Sequence, residues 1–294
     1  MIRAAERWLH APATGHRVAA FRILFALYLL AYFGSMLPHV PLLFSNQGVY
    51  TPYLFPDYAP APALAWVLFA IMMLADVALL IGYRSELSAR LMLLLFLYHY
   101  FLQIAVKQSS FDRLIVIYLV ILCFADAGRV WGLDRRRAAG AAPSRWAERL
   151  LVMQTLMLYF GSGLWKAFNP AWHTGELLRS TLQSVWASPI AFAIVQQDFS
   201  EHTWTLFSRG IIAFELLIAP LLLARRTRPL GIAFGVGFHL FNTIVVVVPE
   251  FLVAATPYPL FIEPATLRRA VARCSSLLPR LRLATKRGDD TTSD

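Results

Sequence analysis

The sequence predicts an all-α fold, a polytopic bundle of about eight transmembrane helices with both termini cytoplasmic. Three observations predict it. The 294 residues are 58% hydrophobic and only 15% charged, with mean hydropathy +0.57; a soluble domain is about half apolar and about a quarter charged. Apolar runs approaching the roughly 20 residues that cross a bilayer core of about 30 Å recur from Val18 almost to Ile262. Arginines gather in alternate loops, the positive-inside pattern.

The spans follow in order at 18–37, 62–82, 91–105, 114–124 with its flanks, 150–164, 204–223 and 230–248. A shorter run, 251–262, is interrupted by Pro257 and Pro259 and is expected to cross, re-enter or lie in the interface. The apolar stretch 182–195 is a further place where the chain can dip into the membrane. Three domains are expected: a cytoplasmic segment 1–17, a transmembrane domain 18–262, and a basic tail 263–294 that ends in the polar KRGDDTTSD. The first span is too long for a signal-peptide core and no A-x-A site closes it, so it reads as retained.

Orientation comes from the cations. Arg3, Arg7 and Arg17 precede the first span, Arg84 and Arg90 follow the second, six arginines from Arg129 to Arg149 follow the fourth, and Arg225, Arg226 and Arg228 precede the seventh. The other loops hold only Lys107, Arg113, Lys166 and Arg179. Both ends therefore read as cytoplasmic in a cell membrane, an even number of spans fits best, and 38–61 and 165–203 face outward. The net charge of +10 is explained by this topology, and no soluble domain remains for nucleic acid to bind. Cys123 and Cys274 form no framework and no ligand spacing, so no metal is expected. No Walker loop, dinucleotide fingerprint, H-E-x-x-H or nucleophile elbow is present.

Three places can carry chemistry. Lys166 ends the fifth span and is one of three lysines among 27 basic residues. Unlike arginine, a lysine can lose its proton and act as a base. Tyr159, Ser162 and Lys166 share a helix stripe, and Gly161 and Gly163 allow a neighbour to approach. The plainer reading is a lysine snorkelling to the headgroups. His239 and Asn242 share a face with Gly231 and Gly235, as a ligand site or as an interhelical hydrogen bond. Arg22, Asp76, Arg209 and Glu215 fall inside apolar spans, where paired structural charges explain them as well as a site does. Asp112 opens the fourth span at the outer side, where it can join Lys166. The outward segments carry FSNQGVYTPYLFPD and Trp165, Trp172, Trp186 and Trp204, either interfacial aromatics or the floor and lid of an outward site.

At the fifth span the pattern is familiar. YFGSGLWK (Tyr159–Lys166) with Trp172 and Gly175, the opening RVAAFRILFALYLL, the NQGVYTPYLFPD loop, FELLIAPLLL with Glu215, and GFHLFN occur in an order that resembles the horizontally transferred transmembrane (HTTM) domain family. That family includes the membrane part of vitamin K-dependent γ-glutamyl carboxylase, and the resemblance spans about 15–262. It implies that Lys166 is the base toward a hydroquinone on the outward side, with His239 also catalytic. Tyr159, Trp172, Glu215, Asn242 and Asp112 are then ligand-binding candidates. Where the carboxylase has a second functional histidine, this chain reads SSFDRLIVIY, with Asp112 and no histidine. A short basic tail also stands where the carboxylase has a lumenal domain.

The expected function is thus a membrane protein that binds a quinone, hydroquinone or lipid-like ligand at an outward site and carries out an oxidative or carboxylation-type reaction. The alternative is a non-enzymatic membrane partner in export, maturation or immunity of a secreted peptide. A transporter is the third class, and no internal repeat speaks for it. Membrane lipids are partners in every case.

Overall fold

The computed structural model describes residues 2–49, 58–104, 109–136, 143–273 and 276. Residues 50–57, the centre of the expected outward lid, lie outside the described residues, as do Lys107, Cys274 and the terminal KRGDDTTSD. Among the described residues there is no strand, only an isolated bridge between Pro12 and Ser144.

The apolar runs become helices whose ends are set by local chemistry. A surface helix α1 (Ile2–Leu9) precedes α2 (His16–Gly34). A 3-10 turn and the short α3 (Val40–Phe44) lead to α4 (Pro62–Ile81). Pro62 begins α4, where a missing N–H costs nothing, and Gly82 ends it in the left-handed conformation at φ 65°. The Asp134 carboxylate accepts from the N–H groups of Arg84 and Ser85 (2.8 and 2.7 Å), so a residue about fifty positions away caps α5 (Ser85–Gln103). Ser109 caps α6 (Ser110–Leu122), which is followed by α7 (Trp146–Phe168). Three short helices, α8 (Pro170–His173), α9 (Glu176–Thr181) and α10 (Pro189–Val195), fill the stretch expected to face outward. The long helices α11 (Glu201–Leu223) and α12 (Arg228–Val245) complete the set.

Three of these, α2, α4 and α11, are long and apolar enough to cross a membrane by length and composition. Large apolar side chains also face outward from the bundle. Leu74, Leu94, Met157, Leu217 and Phe241 are exposed on five different helices, as expected of helices that meet lipid outside and protein inside. The interior is aromatic: Phe21, Phe25 and Tyr118 meet edge to face or stacked at 5.1–5.5 Å. At seven residues, about 10 Å long, α10 does not cross; it packs beside Trp204 and Val245.

The run after α12 does not form an α-helix. Pro249, Pro257 and Pro259 withhold N–H donors, and the segment folds as two 3-10 turns, Pro249–Ala255 and Tyr258–Phe261. Val246 packs with Leu182 and Trp204, beside the short helices α9 and α10. Further along, Glu250 receives Tyr32 Oη (3.4 Å) and Phe251 meets Phe111. At its end Leu260 and Phe261 stand beside Arg17, Glu148 and Arg228, where α2, α7 and α12 begin. Val253, Ala254, Tyr258, Leu260 and Phe261 are all buried. A membrane protein tolerates irregular backbone where protein covers it, and these side chains are covered.

The buried ionisable residues are not a set of pairs. Arg22 is fully buried and meets carbonyls instead of a carboxylate: Nη1 donates to Leu79 O and Leu80 O (2.5 and 2.6 Å) and Nη2 to Trp131 O (2.8 Å). It thereby satisfies the last carbonyls of α4, groups that a helix leaves orphaned. Arg209 is exposed. Asp76 is fully buried and neither carboxylate oxygen has a hydrogen-bond partner. Among the described residues, only Glu215 of the four has an ion-pair partner, Lys166. Arg22→Met should therefore lower unfolding stability by about 1.5–3 kcal/mol, measured by denaturation in detergent; an unchanged midpoint would dismiss the carbonyl clasp.

Two compact units divide the chain, 1–261 and 262–294. Within the second, residues 264–273 are helical and largely exposed.

Candidate functional site

The site is built where α7 and α11 pack. Gly163 makes that packing close. A Cβ there would lie 3.0 Å from the Glu215 Cβ and 3.1 Å from Leu216 side-chain atoms, so the helices meet backbone to side chain at this level. Gly161, expected to help, faces nothing within 4 Å and plays no such part. The close approach brings Glu215 to Lys166, one turn further along α7.

Lys166 Nζ donates to Glu215 Oε1 and Oε2 (2.7 and 2.6 Å) and to Ser162 Oγ (2.8 Å). Its three ammonium protons are thus fully used. The ammonium also lies 5.0 Å from the centre of the Trp172 ring, within cation–π range. Both side chains are shielded, at 13% and 6% exposure, so this is a desolvated pair and not a snorkelling surface lysine. Trp172 is placed by α8, whose first turn Asn169 caps, and its backbone carbonyl accepts from Ser208 Oγ on α11 (2.5 Å). The indole Nε1 of Trp172 is buried without an acceptor.

One to two turns deeper, Tyr159 Oη meets His239 Nε2 at 2.5 Å, and the same hydroxyl is hydrogen-bonded to Tyr258 Oη. His239 Nδ1 is buried with no partner. Tyr258 fits because residue 235 is glycine: a Cβ at Gly235 would overlap the Tyr258 hydroxyl. Hence the small-residue face of α12 admits a phenol, not merely another helix. Sequence reasoning passed over Tyr258. Its only signal was a hydroxyl-bearing aromatic between two prolines in a buried run.

Not every expected residue joins. Asn242 donates its side-chain amide to Phe238 O of its own helix (2.8 Å), back-bonding one turn up α12. Asp112 is not with Lys166. It lines a separate cavity of about 60 Å³ with Tyr32, His99 and Gln103, between α2, α5 and α6. There Gln103 is tied to the carbonyls of Leu43 and Val49, and His99 Nδ1 is bonded to Leu95 O (2.6 Å). Among the described residues no group of three or more His, Cys, Asp or Glu side chains is arranged to hold a metal.

The family model of the HTTM domain matches residues 10–265. The chain belongs to the HTTM domain family. It is therefore a membrane protein of that family. No solved structure matches it. The match covers α2 to α12 and the two buried 3-10 turns, so the Lys166–Glu215 pair and the Tyr159–His239–Tyr258 cluster of this HTTM protein both lie inside the family's domain.

Proposed function

We propose that this HTTM protein binds a quinone, hydroquinone or lipid-like headgroup at an outward site built on Lys166, Glu215 and Trp172, and there carries out an oxidative or carboxylation-type reaction. The observation that carries the reading is a buried, fully bonded ammonium beside a buried indole N–H with no acceptor. A quinone-type oxygen is an acceptor of the kind Trp172 Nε1 lacks, and a flat ring suits an indole wall. The reduced form of such a cofactor, a hydroquinone, would when bound supply an acidic hydroxyl and two electrons.

The residues then divide the proton work. The family resemblance implies Lys166 as the base, whereas spacing alone leaves it open. In the ion pair Lys166 Nζ donates and Glu215 accepts, so Glu215 is the group that takes a proton while the neighbouring ammonium offsets the charge left behind. Tyr159, His239 and Tyr258 form a hydrogen-bonded set that can hold or pass a proton deeper in the bundle. Asn242, bonded within its helix, orients His239 only through α12 itself.

Eight crossings with both termini cytoplasmic remain the favoured arrangement. What supports it is the segment after α12. Residues 246–261 begin beside α9 and α10 and end beside Arg17 and Arg228, at the opposite end of the bundle from Trp204, so this segment serves as the eighth crossing. An even count then follows, in agreement with the arginine pattern.

The test is mass spectrometry of small molecules retained by gently purified protein. A bound quinone or hydroquinone is expected from wild type and from Asn242→Ala, and is expected to be lost from Lys166→Ala. Retention of bulk phospholipid alone, or of the same quinone by Lys166→Ala, would refute the site.

A further inference from the structure

We infer that the cavity at the opposite end of α7 from Lys166 is a binding site for one anionic phospholipid, with the headgroup among arginines and an acyl chain along α7. The cavity, of about 270 Å³, opens between the first turns of α2, α7 and α12, the end of α11 and the Tyr258–Phe261 turn. Its rim holds Arg17, Arg149 and Arg228, and its lining holds a single carboxylate, Glu148. That carboxylate is taken: Arg17 Nη1 donates to Glu148 Oε1 at 2.8 Å. Arg228 is fixed by Nε to Leu222 O (2.8 Å) and Nη2 to Leu223 O (3.0 Å), which positions its charge at the rim.

Arg149 is the residue that asks for a ligand. Its guanidinium stacks 3.9 Å from the centre of the Trp8 ring on α1, an arrangement that orients a cation without neutralising it. Its Nη1 is shielded from water and has no hydrogen-bond partner. A guanidinium nitrogen in that condition is costly unless an acceptor arrives, and phosphate oxygens suit its geometry. The segment that follows α1 is itself pinned beside the start of α7 by Ala13 N to Pro143 O (2.7 Å) and Arg145 N to Ala11 O (3.0 Å), so Trp8 is held over the cavity.

A second observation selects lipid over a free anion. The floor of the cavity is apolar, with Val152, Leu156, Leu222 and Phe261. Met153 also lines a neighbouring groove of about 320 Å³ between α6 and α7, whose other walls include Val116, Val120, Leu150 and Met157. An arginine-rimmed pocket that runs into an apolar groove along a membrane helix matches a phosphate followed by a hydrocarbon chain. This inference is independent of the Lys166 site: either can fail without the other.

The experiment uses the full chain, purified in mild detergent and titrated with phosphatidylglycerol, phosphatidylcholine or inorganic phosphate, read by native mass spectrometry and thermal unfolding. Phosphatidylglycerol is expected to bind and raise Tm, and phosphatidylcholine to do so at least fivefold more weakly. Arg149→Gln should weaken phosphatidylglycerol binding about fivefold, the worth of one arginine at an anionic headgroup, whereas Arg149→Lys, which keeps the charge, should retain most of it. Met153→Trp, which blocks the junction of pocket and groove with no change of charge, should also weaken it, so the claim stays testable if Arg149→Gln folds poorly. Equal binding of the two lipids, unchanged binding by both Arg149→Gln and Met153→Trp, or full stabilisation by inorganic phosphate alone would each overturn the assignment.

Discussion

Replacing Glu215 with alanine should destabilise the protein by about 3–5 kcal/mol, the cost of leaving one member of a buried ion pair without the other. In the wild type Lys166 Nζ holds both oxygens of Glu215. After the substitution the ammonium would keep only Ser162 Oγ and the Trp172 face, in a place that water hardly reaches. Removing both charges should be far milder. Lys166→Met with Glu215→Leu replaces the pair by apolar side chains of similar size, a change that is often neutral or stabilising for buried pairs. The two variants therefore separate stability from function. The double variant should unfold near the wild-type midpoint yet retain no quinone, while the single variant should lose both. The measurement is denaturation in detergent beside the ligand analysis. A cost below about 1 kcal/mol for Glu215→Ala, the scale of an exposed pair, would mean that the pair is solvated and the site does not exist as described.

The second large effect is one of sign. Glycine to alanine inside a helix normally gains about 1 kcal/mol, and Gly161 and Gly237, with nothing within 4 Å of an added Cβ, should behave so. Gly235→Ala should instead lose about 1–3 kcal/mol, because the methyl takes the space of the Tyr258 hydroxyl and forces the ring out. That displacement would break the bond to Tyr159 and leave the Tyr159–His239 contact without its third member. In a Tyr258→Ala background the steric reason is gone, so the same Gly235→Ala change should become neutral or stabilising. A thermodynamic cycle over the four proteins gives the coupling directly. If Gly235→Ala behaves like Gly237→Ala in the wild-type background, the phenol does not occupy the position assigned to it.

Much of the site is legible in the sequence. Lys166 stood out because this chain otherwise uses arginine, and its stripe with Tyr159 and Ser162 follows from helical spacing alone. Ser162 does bond Lys166, and Tyr159 does meet His239. The partners across helices were not legible. Glu215 stood in a group with Arg22, Asp76 and Arg209 because all four share one property, a charge in an apolar run. The structure gives them four different fates: an ion pair, a carbonyl clasp, a buried carboxylate without partners, and an exposed side chain. Asp112 was grouped with Lys166 because both mark outer helix ends, and the ends of a bundle do not say which helices are neighbours.

The same division runs through the whole protein. The sequence by itself determined the helical class, the long apolar helices and the faces that carry Lys166 and His239. Those features rest on hydropathy and a 3.6-residue period, which are local and need no partner. Only the tertiary structure decided that Glu215 completes Lys166, that Tyr258 completes Tyr159 and His239, and that the proline-broken run 249–261 packs as a wall of the bundle. Each of these depends on which helices lie side by side. Residues 49 and 99 positions apart in the chain meet only because glycines at 163 and 235 let other elements come close, and packing of that kind leaves no period in a sequence.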